Sequence, residues 1–230
     1  MKEMFTYIKT PEGRKLLVFI MCIGAFVGAL LVSSITASKL YTISLLSLEI
    51  VIPVGTSLFA ITFLCTDAVS EIWGKKHAML LVFTGFIARI GTLLFLLFAV
   101  GVEGSGAPVW DNQLAYESVL SGSSRIILAG ILTYPVSQVV DVLIFHYLKQ
   151  RHQGKNRLWL RNNLSTLGSQ LIDSTVFVLI AFGGLLTSDV IISIIIGQVI
   201  IKWMIAMLDT PFVYMVRNIA TSRKLFDFKG

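Results

Sequence analysis

Five charged residues sit inside apolar runs of this 230-residue chain: Asp67, Arg89, Asp141, Asp173 and Lys202. Charge at membrane depth is costly, faces a protein interior and marks function by default. Three carboxylates set against two cations leave one acid to bind a ligand or hold a proton. Amides accompany them. Span four carries Ser137-Gln138-Val139-Val140-Asp141 and span five carries Ser169-Gln170-Leu171-Ile172-Asp173. Each places an amide and a carboxylate three residues apart, and the repetition is weak evidence for internal duplication. Asp67 and Glu71 are four apart and share a helical face, as do Gln198, Lys202 and Asp209. Groups of these types can read the polar edge of a small molecule or pair with one another. Catalysis is not indicated. H-E-x-x-H, G-x-S-x-G, Walker and C-x-x-C patterns are absent. His77, His146 and His152 fall at or beyond the predicted cytoplasmic edge, so no histidine stands at depth as a general base or metal ligand. The reading is a non-enzyme with no metal and no cofactor.

The elements that must position these groups follow from composition. Apolar residues make up 55% of the chain and charged residues 14%. An average soluble domain carries about 25% charged residues, so this chain cannot cover a water-facing surface. A membrane-crossing helix needs roughly 20 apolar residues. Six segments qualify: Leu16–Thr36, Pro53–Trp73, Ala78–Val100, Ile126–Leu148, Leu164–Thr187 and Val190–Val216. Five spans is the fallback, because the last two are the most polar and are separated only by Ser188 and Asp189. The fold class is an all-α polytopic membrane protein, with residues 1–230 forming one six-span domain.

Lysine and arginine give the orientation. Lys2, Lys9, Arg14 and Lys15, then Lys75 and Lys76, then Lys149, Arg151, Lys155, Arg157 and Arg161, then Arg217, Arg223, Lys224 and Lys229 fall on one side. Lys39 and Arg125 fall on the other. Positive charge stays in the cytoplasm, so both termini are cytoplasmic in a multi-pass protein of the cell (inner or plasma) membrane. The net charge of +6 is explained by this placement and not by nucleic-acid binding. The depths predicted from helical rise put all five buried charges between the midplane and the inner leaflet, around a shared polar cavity. Leu40–Ile52 alternates in two halves with Glu49 on the polar side, a hairpin pattern that serves as an interfacial loop or a lid. Asp111–Leu120 reads as a short helix with Asp111 as N-cap. Cys22 and Cys65 read as packing residues.

Two segments carry a resemblance. Thr66-Asp67-Ala68-Val69-Ser70-Glu71-Ile72-Trp73-Gly74 and Ser165-Thr166-Leu167-Gly168-Ser169-Gln170-Leu171-Ile172-Asp173, continued by Phe177 and Ala181-Phe182, are similar to hallmarks of the queuosine precursor transporter family. That family was earlier grouped with vitamin-uptake proteins. The resemblance covers about residues 16–216. It implies import of a 7-deazaguanine base, preQ0 or preQ1, for tRNA modification. It also implies a fold similar to the substrate-binding subunit of energy-coupling-factor transporters. Where the family tends to have asparagine near the end of span one, this chain has Ser34. On this resemblance the substrate-binding set is Ser34, Asp67, Glu71, Arg89, Gln138, Asp141, Gln170, Asp173 and Lys202, with Phe177 or Trp203 to stack on a flat base.

The alternative is the substrate-binding subunit of an ATP-powered vitamin uptake complex, with an energising ATPase as partner. The small-residue pattern around Gly24, Ala25, Gly28 and Ala29 reads first as internal or homo-oligomer packing, with contact to such a partner as the alternative. A membrane enzyme or assembly factor is the third reading. The remaining partners expected are a small planar base and the lipid bilayer.

Overall fold

A computed structural model of the chain describes residues 7–8, 10–45, 48–106, 109–121, 124–151 and 157–221. His152 and the basic residues Lys2, Lys9, Lys155, Arg223, Lys224 and Lys229 lie outside the described residues, as do the side chains of Glu49 and Asp209.

Seven helices and one hairpin follow in order: α1 Pro11–Thr36, β1 Leu40–Leu45, β2 Leu48–Pro53, α2 Gly55–Ile72, α3 Lys75–Gly101, α4 Gln113–Ser121, α5 Ser124–Arg151, α6 Leu158–Phe182 and α7 Ser188–Thr221. Five of them (α1, α3, α5, α6 and α7) are long and apolar enough to cross a membrane. Helix α2 has 18 residues, roughly 27 Å at 1.5 Å per residue, and carries both Asp67 and Glu71. It therefore falls short of the others in length and apolarity.

Helix α1 starts before its apolar run because Thr10 caps it. The Thr10 hydroxyl accepts from Gly13 N at 3.0 Å, and Pro11 occupies the first turn, where its missing N–H costs nothing. Exposed Leu80, Phe83, Ile87, Leu94 and Phe98 form one apolar stripe on α3. The interior holds many polar groups beside its apolar clusters. Ser33, Ser34, Thr62, Thr66, Ser70, Thr133, Ser137 and Ser165 are all buried. Many of these hydroxyls return to carbonyls one turn back, as Thr62 does to Phe59 O at 2.6 Å. These polar groups share the interior with buried apolar clusters, while the outer face is apolar.

Helices α5 and α6 pack along their length, and α7 closes the bundle against α2 and α6. The hairpin pairs antiparallel from Leu40↔Pro53 to Leu45↔Leu48, as the alternation predicts. Its base is tied down by Val54 N donating to Lys39 O at 2.8 Å, and Ile52 is fully buried. Cys22 and Cys65 are buried in one apolar cluster and form no disulfide.

Three boundaries differ from the expected ones. The short helix begins at Gln113, with Tyr116 N donating to Asn112 O at 2.9 Å, so Asp111 precedes the cap position instead of filling it. Helix α6 begins at Leu158, six residues before the predicted span, because Arg161, Asn162 and Asn163 turn inward to polar partners. It ends at Phe182, followed by Gly183 and by Gly184 at φ +75°, a backbone conformation that favours glycine. The last two helices are thus separated by residues 183–187 and not by two residues.

Candidate functional site

The polar interior is organised in three levels. Nearest the hairpin, a partly open cavity is lined by Ser34, Phe59, Arg89, Asp173, Phe177, Gln198 and Lys202, with Pro53, Thr56 and Gly130 at its walls. Lys202 Nζ meets Asp173 Oδ2 at 2.6 Å and Ser174 Oγ at 3.2 Å. Ser137 Oγ donates to Asp173 Oδ1 at 3.0 Å. The Arg89 guanidinium takes neutral partners: Nε donates to Ser34 Oγ at 3.0 Å and Nη1 to Gly130 O at 2.8 Å. A side chain at Gly130 would put its Cβ 2.7 Å from the guanidinium, so only glycine admits Arg89 here. Both cations also lie over the Phe59 ring, at 6.0 Å for Arg89 and 5.6 Å for Lys202. The Gln198 amide nitrogen is buried with no hydrogen-bond partner among the described residues.

One level deeper are Asp67 and Asp141, whose carboxyls are side-chain hydrogen-bond neighbours. Hydroxyls surround them: Ser169 Oγ donates to Asp141 Oδ1 at 3.1 Å, and Thr166 Oγ1 lies 3.5 Å from Asp67 Oδ2. Beside this level is a smaller cavity, lined by Phe59, Ala60, Phe63, Thr166, Gln170, Lys202 and Ala206.

At the end opposite the hairpin, Glu71 is held by Lys149 and Arg161 at 3.0 Å each and by Arg217 at 3.9 Å. Lys149 also donates to Glu71 O at 2.9 Å, placing a cation on the C-terminus of α2, where the helix dipole favours it. Four helices are clamped together there.

The residues picked out from the sequence therefore divide. Ser34, Arg89, Asp173, Phe177 and Lys202 meet in the cavity nearest the hairpin, and Gln170 lines the smaller one. Asp67, Asp141 and Gln138 lie in the packed interior, with Gln138 Nε2 donating to Thr62 Oγ1 at 3.3 Å. Glu71 belongs to the ion-pair clamp, and Trp203 lines neither cavity. The five buried charges expected around one shared polar cavity divide: Arg89, Asp173 and Lys202 line the cavity nearest the hairpin, and Asp67 and Asp141 line neither cavity. Internal packing is also ruled out as the use of Gly24 and Gly28, since a Cβ at either would meet nothing within 4 Å.

Two features were missed. Phe59 and Gln198 complete the main cavity; Gln198 was signalled by its place one turn before Lys202, whereas one phenylalanine among fifteen gives no signal. The second feature is the use of the repeated S-Q-x-x-D. Ser137 bonds Asp173 and Ser169 bonds Asp141, so each motif's serine holds the other motif's aspartate across antiparallel helices. The repeat was visible in the sequence, but its reciprocity needed the packed pair.

Comparison with known proteins adds a separate line. The family model described as "Putative vitamin uptake transporter" matches residues 53–216. A protein of Bacillus subtilis (strain 168) named "Probable queuosine precursor transporter" is 30% identical over 165 residues, covering 71% of this chain and 71% of the relative. The Escherichia coli (strain K12) "Queuosine precursor transporter" is 31% identical over 131 residues, covering 56% of this chain and 54% of that protein. No solved structure matches the chain.

Proposed function

This chain belongs to the queuosine precursor transporter family, and we propose that it is a membrane importer of a 7-deazaguanine base such as preQ0 or preQ1. Its setting is the inner or plasma membrane, with α2 as the sixth crossing and both termini in the cytoplasm. The observation that carries this reading is the cavity nearest the hairpin. It offers a cation pair, a carboxylate and a partnerless amide N–H between two aromatic residues, Phe59 and Phe177. A guanine-like base has a flat face for an aromatic ring, N–H donors for Asp173, and a carbonyl oxygen for Gln198, Arg89 or Lys202. Ligand sites are of this kind, mostly apolar with a few convergent polar groups.

Under the positive-inside orientation the hairpin end faces outward, so the cavity is the entry site. The Glu71 clamp then closes the cytoplasmic end in this conformation. Release requires the ion pairs of Lys149, Arg161 and Arg217 to part.

Complementation tests the proposal. A bacterial strain unable to make preQ0 and lacking its own importer is given this protein and fed preQ0 or preQ1 at low concentration, and queuosine in tRNA is assayed. Rescue by either base is expected. No rescue, with the protein present in the membrane, overturns the function.

A further inference from the structure

The S-Q-x-x-D repeat places Gln138 and Gln170 at equivalent points of the antiparallel pair α5 and α6. Their surroundings differ. Gln138 gives its N–H to Thr62 inside a packed interface, and only its Oε1 has no hydrogen-bond partner among the described residues. Gln170 is 1% exposed, and neither its Oε1 nor its Nε2 has a hydrogen-bond partner among the described residues. A buried amide with both ends unmet is costly and calls for an explanation. Here it faces the small cavity behind the main site, which in this conformation has room for about one water.

That cavity is continuous in its walls with the entry site. Phe59 and Lys202 line both, so these two side chains form the partition between them. Phe63 stands edge-on to Phe59, with ring centroids 5.5 Å apart, and continues the aromatic wall inward. Thr166 adds a hydroxyl beside Gln170.

We propose that the Gln170 cavity is a second binding station, which takes the base after it passes the Phe59–Lys202 partition and reads its lactam edge through the Gln170 amide. The proposal rests on the transport function above. The chemistry is specific to a planar heterocycle with an N–H beside a C=O. A primary amide presents one acceptor and one donor side by side, complementary to that edge. The stretch from Arg89 through Lys202 to Gln170 then forms a path along which a polar edge is passed inward and never fully stripped of partners. The present volume is smaller than that of the entry site, so this station enlarges as the entry site closes.

The test uses the full chain purified and reconstituted in proteoliposomes, with labelled preQ0 and preQ1 as probes. Gln170→Leu is compared with wild type in three readouts: thermal midpoint in detergent, equilibrium binding of the base, and uptake. Leucine keeps bulk and removes the unmet polar atoms. The expected midpoint equals or exceeds that of wild type. Binding stays within about twofold, because the entry site is untouched, and uptake falls at least tenfold, about 1.4 kcal/mol. Wild-type uptake by Gln170→Leu overturns the second station and leaves the transporter intact. A lowered midpoint, or failure to accumulate folded, also overturns it, since that makes Gln170 a structural residue. Absence of uptake by wild type itself is the separate failure of the transport function.

Discussion

The Lys202–Asp173 pair supports a double-substitution prediction with a definite pattern. The two groups meet at 2.6 Å, with side chains 6% and 8% exposed. Removing one partner of such a pair strands a buried charge and costs about 3–5 kcal/mol, whereas replacing both with neutral groups is often near neutral. The environment makes the two halves unequal. Arg89 acts on Asp173 as a second cation. Lys202→Met therefore leaves Asp173 partly compensated, while Asp173→Asn leaves two buried cations with no carboxylate in the cavity. Asp173→Asn is expected at the upper end of that range, Lys202→Met at or below the lower end, and the double variant within about 2 kcal/mol of wild type. At about 2–4 °C per kcal/mol for a chain of this size, Asp173→Asn lowers the melting temperature by roughly 10–20 °C, and adding Lys202→Met restores most of it. The assay is thermal unfolding of the purified protein in detergent, followed by monodispersity after heating. A double variant as unstable as the sum of the singles refutes the reasoning, because two independent residues would then be reporting ordinary packing. All three variants are expected to lose uptake, since both groups face the cavity.

Four further outcomes follow. Gly130→Ala brings a methyl group against the Arg89 guanidinium; base binding should fall at least tenfold with the protein still folded, and unchanged binding in an equilibrium assay would remove Arg89 from the site. Glu71→Gln leaves Arg161, 5% exposed, without its carboxylate. A loss of about 2–3 kcal/mol is expected, below the range for a fully buried pair because Lys149 and Arg217 are partly solvated; base affinity in detergent should be unaltered, and a large affinity loss would return Glu71 to the binding set. Asp141→Asn keeps an acceptor for Ser169 and removes one of two adjacent buried carboxyls; like charges sharing a site repel, so the melting temperature should hold or rise, and a clear fall would contradict that environment. Finally, single cysteines at exposed Val109 and Lys76, read against the buried native thiols, test six crossings: an impermeant maleimide should label the first in intact cells and the second only after permeabilisation.

Much of this protein was legible without coordinates. The excess of apolar runs and the alternation of Leu40–Ile52 depend on local composition and period, and they survived folding as long helices and as a paired hairpin. The identities of Arg89, Asp173 and Lys202 were legible for a related reason. A charge inside an apolar run has few physical excuses, so its presence alone points to an interior polar site. Depth and partnership were not legible. Hydropathy assigns polar residues to the water side, yet Arg161, Asn162 and Asn163 reach partners on other helices, so α6 begins earlier than its apolar content suggested. Which acid meets which base is a property of helix contact and not of sequence. Asp173 took the lysine, Asp141 took a serine and a second carboxyl, and Glu71 took three cations at the opposite end. The two S-Q-x-x-D motifs are alike as strings, and only the packing of α5 against α6, with α2 and α7 alongside, gave one glutamine a threonine and left the other facing a cavity.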